Sequence, residues 1–207
     1  MEIDYYTART PNGFKISIML EELSANYKLH FLDLMKNEQK ESSYTAINPN
    51  GRIPAITVTE NGKKTNVFES GSILIYLARR ANNKFFGDGD FAKETEILNW
   101  LMFQMAGVGP MFGQYSYFAK FADKKIPEAI DRYLNESKRL MDVLDKHLEG
   151  KEYLANNEYS IADMATFTWV KAHPNLEDFK NVKGYVDRIG KRPAVVKGLN
   201  TPPPKDN

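Results

Sequence analysis

The order in which the hydrophobic period changes along this chain limits its fold more than any other feature. Ile3, Tyr5 and Tyr6 suit a short strand, Thr10-Pro11-Asn12-Gly13 makes a turn, and Ile16, Met19, Leu20 and Leu23 then recur at helical spacing to about Ala25. The apolar run at 29–34 reads as a buried strand. Two strands joined by one helix within about thirty residues form a βαβ unit, which requires parallel strands and a right-handed crossover. Asn12 is the expected N-cap of the helix, and Glu21 and Glu22 mark its wet side.

The next segment follows another rule. Ala55-Ile56-Thr57-Val58 and Thr65-Asn66-Val67-Phe68 flank a turn at Asn61-Gly62, which is the signal of an antiparallel hairpin. A helix is predicted over 70–80, with Ile73, Leu74 and Leu77 apolar and Arg79 and Arg80 well placed at its C-terminal end. βαβ followed by ββα is a thioredoxin-like order, so residues 1–81 are expected to form one small α/β domain. A polar, glycine-bearing link follows at 82–90. Beyond it the period is helical, and 91–200 are expected to form an all-helical domain, giving an α/β plus all-α chain.

Within that second part, Ile130, Tyr133, Leu134, Ser137, Leu140, Met141, Leu144 and Leu148 trace one long amphipathic helix that Gly150 ends. The helix before it contains Gly107, Gly109 and Pro110, and the proline is expected to bend it. Ser160-Ile161-Ala162-Asp163 has the spacing of a capping box that opens a buried helix through Phe167 and Trp169. Residues 201–207 form a proline-rich tail that cannot be helical.

The composition excludes several kinds of chemistry. A formal charge of +1 with interspersed signs offers no electrostatic footprint for nucleic acid or an anionic membrane, which points to a small-molecule or protein partner. There is no cysteine, so thiol chemistry must use a borrowed sulfur. His30, His147 and His173 lack metal-ligand spacing, and no phosphate loop or serine-nucleophile elbow is present. The most apolar stretch, 98–113, is interrupted by Asn99, Gln104 and Pro110 and is shorter than the roughly 20 residues of a membrane span. An acidic start with no following apolar run leads us to expect a cytoplasmic protein.

Three separated pieces of the first domain converge at one end of the sheet if its topology is thioredoxin-like. At Thr10-Pro11-Asn12-Gly13 a helix N-terminus offers free amides and partial positive charge to a thiolate, with Thr10 and Asn12 as side-chain donors. At Gly51-Arg52-Ile53-Pro54-Ala55 a cis bond before Pro54 would turn the Ile53 backbone outward, where an extended peptide could pair with it. At Phe68-Glu69-Ser70-Gly71-Ser72 the amides and hydroxyl of Ser70 make an anion site beside the Glu69 carboxylate, a match for an α-amino acid head group. Each piece alone also has an ordinary reading, the first and third as helix caps and the second as a trans proline before a strand.

These pieces in this order, followed by a helical domain with Ser160-Ile161-Ala162-Asp163, resemble a soluble glutathione transferase over essentially the whole chain. Thr10-Pro11-Asn12-Gly13, Asn48-Pro49-Asn50-Gly51-Arg52-Ile53-Pro54-Ala55, Phe68-Glu69-Ser70-Gly71 and Gly107-Val108-Gly109-Pro110-Met111 are most similar to the nu class, which includes bacterial glutathione-dependent disulfide-bond oxidoreductases; fungal nitrogen-regulator proteins are related to it. The resemblance implies that Thr10 and Asn12 lie beside the glutathione sulfur and are catalytic. It also implies that Ile53 pairs with the cysteinyl backbone, that Glu69 and Ser70 hold the γ-glutamyl end, and that Gln39 and Arg132 contact glutathione. Other classes use a strand-one tyrosine, but Tyr5 and Tyr6 read as strand aromatics of the core.

The expected activity is reduction of small disulfides by glutathione in a homodimer, with no metal. The alternatives are conjugation of electrophiles or peroxide reduction, and a non-catalytic regulator or scaffold on the same fold.

Overall fold

The computed structural model describes residues 1–204, and these divide into two compact units, 1–84 with 191–204, and 85–190. In the first unit β1 (Glu2–Thr7), helix α1 (Pro11–Glu22) and β2 (Lys28–Phe31) form the expected parallel βαβ, with Tyr5 opposite Leu29. β2 is shorter than 29–34 and is not buried. The sheet order is β2-β1-β3-β4, which puts β2 at an edge, and after Leu32 the Asp33 side chain accepts the Met35 amide and starts a 3-10 turn. Helix α2 (Ser42–Thr45) is a single turn that buries Tyr44. β3 (Ala55–Glu60) runs antiparallel to β1 and, through the hairpin, to β4 (Lys63–Phe68). Asn61 and Gly62 take φ of 51° and 76°, the left-handed conformation that this two-residue turn requires. Helix α3 (Ser70–Arg80) then occupies the predicted residues.

The second unit is helical. α4 (Phe91–Phe103) starts on Asp90, whose Oδ1 accepts the amides of Ala92 and Lys93. A π-helical turn at Gln104–Val108 leads into α5 (Gly109–Ser116). Pro110 has no amide to donate, and its ring crowds the carbonyl four residues back, so the ladder relaxes to a wider turn in which Gly109 donates to Gln104. A Cβ on Gly107 would stand 3.3 Å from Leu140 and one on Gly113 3.5 Å from Trp169, so the small residues let this segment lie close to its neighbours. Those neighbours are α6 (Pro127–His147) and α7 (Ile161–Val170). α7 opens on the expected capping box: Asp163 accepts from the Ser160 amide at 2.8 Å and also from the Leu154 amide at 3.0 Å. α8 (Lys180–Gly190) closes the unit and buries Val182, Tyr185 and Ile189. Among the described residues no helix is long and apolar enough to cross a membrane.

Two domain boundaries differ from the sequence expectation. The link expected at 82–90 divides at 84/85, because Phe86 is buried and the Phe85 carbonyl accepts the Ile161 amide of the helical unit. Helix α9 (Pro193–Leu199), expected to lie in the all-helical domain, packs instead on α1. It does so because α1 carries matched acids: Glu22 accepts a bidentate pair from Arg192 at 2.7 and 3.0 Å, and Glu21 pairs with Lys197 at 2.6 Å. Glu21 and Glu22 are therefore covered, at 7% and 9% side-chain exposure, and α1 has no wet side. The tail continues over the same helix. The Ser17 hydroxyl donates to the Thr201 carbonyl at 2.7 Å and Arg9 donates to that of Pro202, while residues 205–207 of the expected 201–207 tail lie outside the described residues.

Gly198 is the closest point of this packing. A Cβ there would stand 2.7 Å from the backbone N and Cα of Ile18, which cannot move without moving α1. Gly198→Ala is expected to lower stability by about 1–3 kcal/mol in urea unfolding, the usual cost of overpacking, although alanine is the better helix former. A neutral or stabilising effect would show that α9 does not sit on α1 in solution.

Candidate functional site

The corner between β1 and α1 is tight. A Cβ on Gly13 would meet the Ala8 carbonyl oxygen at 2.3 Å and Thr7 Oγ1 at 2.5 Å, so only glycine permits this approach. Thr10, not Asn12, is the N-cap: its Oγ1 accepts the Gly13 amide at 3.2 Å. The reason is Pro11, whose fixed φ and missing amide suit the first helical position and start the helix two residues earlier than a cap at Asn12 requires. Asn12 then stands half-buried in the first turn. Because Thr10 accepts from the backbone, its hydroxyl hydrogen remains to be donated to whatever occupies the helix end.

Tyr5 has no part in this surface. Its hydroxyl donates to the Gly13 carbonyl at 2.6 Å and lies 3.1 Å from Ser17 Oγ, and complete burial drives its pKa far above the ordinary tyrosine value. Tyr6 points to the other face of the sheet, where its ring stacks on His30 at 4.5 Å. Neither tyrosine is placed to serve the α1 N-terminus.

The loop before β3 is fixed from below. Tyr44 and Asn48 each donate to the Arg52 carbonyl at 2.6 Å, and the Ile53-Pro54 bond is cis. The strand ladder begins at Ala55, so Ile53 stands outside it. Gly51, at φ 58°, lets the loop pass Gln39: a Cβ there would be 3.0 Å from the Gln39 carbonyl oxygen. Gln39 itself keeps a buried Oε1 that has no hydrogen-bond partner among the described residues.

The head of α3 completes the surface. Glu69 occupies the N-cap at φ 66° and ψ 119°, a costly conformation for a residue with a Cβ, and makes no capping bond with its side chain. Its Oε1 instead accepts from Asn50 Nδ2 at 3.3 Å, which ties the Ile53 loop to α3. Ser70 is the first helical residue and is 4% exposed. Its oxygen accepts from the Lys15 ammonium at 3.2 Å.

Lys15 was not singled out by the sequence, yet it is the most unusual residue here. It is fully buried, and burial lowers its pKa to about 7 against the opposing pull of the Glu69 charge. The sequence did carry a signal: Lys15 precedes Met19 by one helical turn and sits beside Ile16, on the apolar stripe and not opposite it.

The structure thus gathers Thr10, Asn12, Gln39, Ile53, Glu69 and Ser70 on the first unit. Arg132 belongs to the second unit, where it is exposed on α6 and lines a cavity of about 860 Å³ with Met111, Tyr133, Asn135, Glu136 and Arg139. Among the described residues no group of three metal-ligating side chains is assembled.

Comparison with known proteins gives this arrangement a context. The model of the glutathione S-transferase N-terminal domain matches residues 1–79, and that of the C-terminal domain matches 108–193. The disulfide-bond oxidoreductase YfcG of Escherichia coli is 40% identical over 204 residues, covering 95% of this chain and 94% of that protein. A glutathione transferase from Burkholderia graminis, crystallised with two glutathione molecules per subunit, superposes with a TM-score of 0.91 at 42% identity, covering 97% of this chain and 88% of that one. One from Pseudomonas putida, with one glutathione disulfide bound per subunit, gives 0.91 at 40% identity, covering 97% and 92%.

The buried lysine makes stability depend on pH in a direction that can be worked out. Its folded pKa of about 7 lies below the unfolded value of 10.5, so between these limits the unfolded chain holds more protons and stability rises with pH. Urea unfolding at pH 7 and 9 should show the wild type gaining about 2 kcal/mol over Lys15→Met across that interval. Parallel pH profiles for the two proteins would mean that Lys15 is solvated in solution.

Proposed function

The chain belongs to the glutathione S-transferase family, and on that premise we propose that it is a glutathione-dependent disulfide-bond oxidoreductase. The observation that carries this reading is the convergence at one sheet end of a helix terminus suited to a thiolate, a loop at Ile53 that lies outside the strand ladder just before a cis proline, and a carboxylate beside a helix N-terminus at Glu69 and Ser70. A γ-glutamyl-cysteinyl peptide presents the matching groups in the matching order. Its thiolate meets Thr10, Asn12 and the α1 amides, its cysteinyl backbone pairs with Ile53, its α-ammonium meets Glu69 and its α-carboxylate meets Ser70. The buried Oε1 of Gln39, without a partner among the described residues, supports a further polar contact, and Arg132 is proposed as a cationic contact from α6.

In the proposed reaction the glutathione thiolate attacks one sulfur of a small disulfide. A new S–S bond forms, the old one breaks, and the departing thiolate takes a proton from solvent. A second glutathione thiolate then attacks the mixed disulfide at the glutathione sulfur, releasing glutathione disulfide and the second thiol. The electron pair comes from glutathione throughout, which suits a chain that has no cysteine. The proposal extends to a cytoplasmic homodimer whose partners are glutathione and a small disulfide.

The donors at the α1 terminus stabilise charge on sulfur as it enters the thiolate form. Asn12→Ala is expected to lower turnover of bis(2-hydroxyethyl) disulfide with glutathione at least tenfold, about 1.4 kcal/mol of lost transition-state stabilisation, with the fold intact by circular dichroism. The same assay, coupled to a glutathione-recycling reductase and run beside 1-chloro-2,4-dinitrobenzene, separates this reading from conjugation. Turnover of the aryl halide with none of the disulfide would overturn it.

A further inference from the structure

The residue before the Thr10 cap is an arginine whose head group is committed to the far end of the chain. Arg9 is exposed, yet its Nη1 donates to the Pro202 carbonyl and its Nη2 to the Leu199 carbonyl at 3.3 Å. Its guanidinium carbon lies 5.3 Å from the centre of the Phe14 ring on α1. Leu199 is the last residue of α9, where helical carbonyls run out of amide partners and a cation is favoured. The carbonyls just before it are in use: Asn200 Nδ2 donates to Val196, the Asn200 amide to Lys197 and the Thr201 amide to Gly198. Arg9 serves the next one, and its planar fork reaches Pro202 as well.

This tether holds a short piece of backbone. Ala8, Arg9 and Thr10 are all that separates β1 from α1, and the Thr10 amide donates to the Ala8 carbonyl at 2.8 Å. The tail that receives the tether is itself fastened to α1, by the Ser17 hydroxyl on the Thr201 carbonyl and by the ion pairs of α9. Fork, tail and helix therefore close a ring of contacts, and the peptide joining Arg9 to Thr10 is part of it. The placement of that peptide sets where Thr10 Oγ1 stands over the Gly13 amide, and with it where the hydroxyl hydrogen can point. Taking glutathione as the ligand, as proposed above, we infer that Arg9 is a positioning residue for the glutathione thiolate, acting through Thr10 and anchored on the C-terminal segment.

Two hydrogen bonds from an exposed guanidinium add little to global stability. A donor that must meet a sulfur in one direction is more sensitive, because a small displacement at the reacting end is felt in the rate. Loss of the fork therefore acts on the sulfur end and spares the γ-glutamyl end, which Glu69 and Ser70 are proposed to hold. The role also differs from plain attraction between a cation and a thiolate, for which any positive charge at residue 9 would serve. The charges of α1 itself, Lys15, Glu21 and Glu22, are the same in every variant below, so a change in the bound thiol reports on residue 9.

The test replaces the head group in the full-length chain. Arg9→Met keeps an apolar stem beside Phe14 without fork or charge, and Arg9→Lys keeps the charge with a single ammonium in place of the fork. Bound glutathione is titrated by its thiolate absorption, disulfide turnover is measured at saturating glutathione, and S-methylglutathione affinity reports on the rest of the site. Arg9→Met is expected to raise the bound thiol pKa by about half a unit or more and to lower kcat about threefold or more. Its S-methylglutathione affinity should stay within about twofold of wild type. Arg9→Lys is expected to show the same two changes in smaller measure, and it decides the matter alone if the methionine variant does not fold. Wild-type thiol pKa and kcat in either folded variant overturn the inference, as does an equal loss of S-methylglutathione affinity, and the glutathione reading survives both results. Failure of the wild type to bind S-methylglutathione overturns the glutathione reading itself.

Discussion

Helix α1 is enclosed, and the candidate site depends on that enclosure. The sheet lies on one side of it, and α3 is tied to it through Lys15 and Ser70. α9 is clamped to it through Arg192, Lys197 and the close approach of Gly198. A helix held from several sides keeps its N-terminus in one place, and an N-terminus held in place can stabilise a charge without first reorganising. The tail carries the clamp to the end of the helix, where Arg9, next to the cap Thr10, donates to the Pro202 carbonyl.

The same helix links the two chemical ends of the site. Its first turn presents Thr10 and Asn12 to a sulfur, and about one turn later Lys15 stands behind the serine proposed to hold a carboxylate. The distance between the two ends is therefore set by helix geometry and not by a loop. The Ile53 loop is braced separately, by Tyr44 and Asn48 beneath it and by the Asn50–Glu69 bond across to α3. Three elements distant in sequence thus become one surface through polar contacts, most of them at least partly buried. Such contacts are sensitive to direction, and direction is what a binding site for a small zwitterion needs.

Much of this was legible in the sequence, because the signals were local. The hairpin at Asn61-Gly62, the capping box at Ser160 and Asp163, the bounds of α3 and the break in the α-helical ladder before Pro110 each follow from a few neighbouring residues. What the sequence did not disclose depended on distant partners. Glu21 and Glu22 look like a wet face until α9 returns from residues 193–199 to cover them. The strand after α1 looks buried until the sheet order puts it at an edge. Lys15 stands on the apolar stripe of α1, but its contact with Ser70 of α3 is visible only in the fold. The cap was misplaced by two residues for a local reason, since Pro11 starts the helix earlier than a cap at Asn12 would allow.

The central claim is that a chain with no thiol of its own activates a borrowed one. It is tested most directly by titrating glutathione bound to the wild-type protein and following the ultraviolet absorption of the thiolate. The expected result is a bound thiol pKa at least one unit below the roughly 8.5 of an ordinary cysteine, with most of that depression lost in Asn12→Ala. A bound thiol that titrates where free glutathione does would contradict the account.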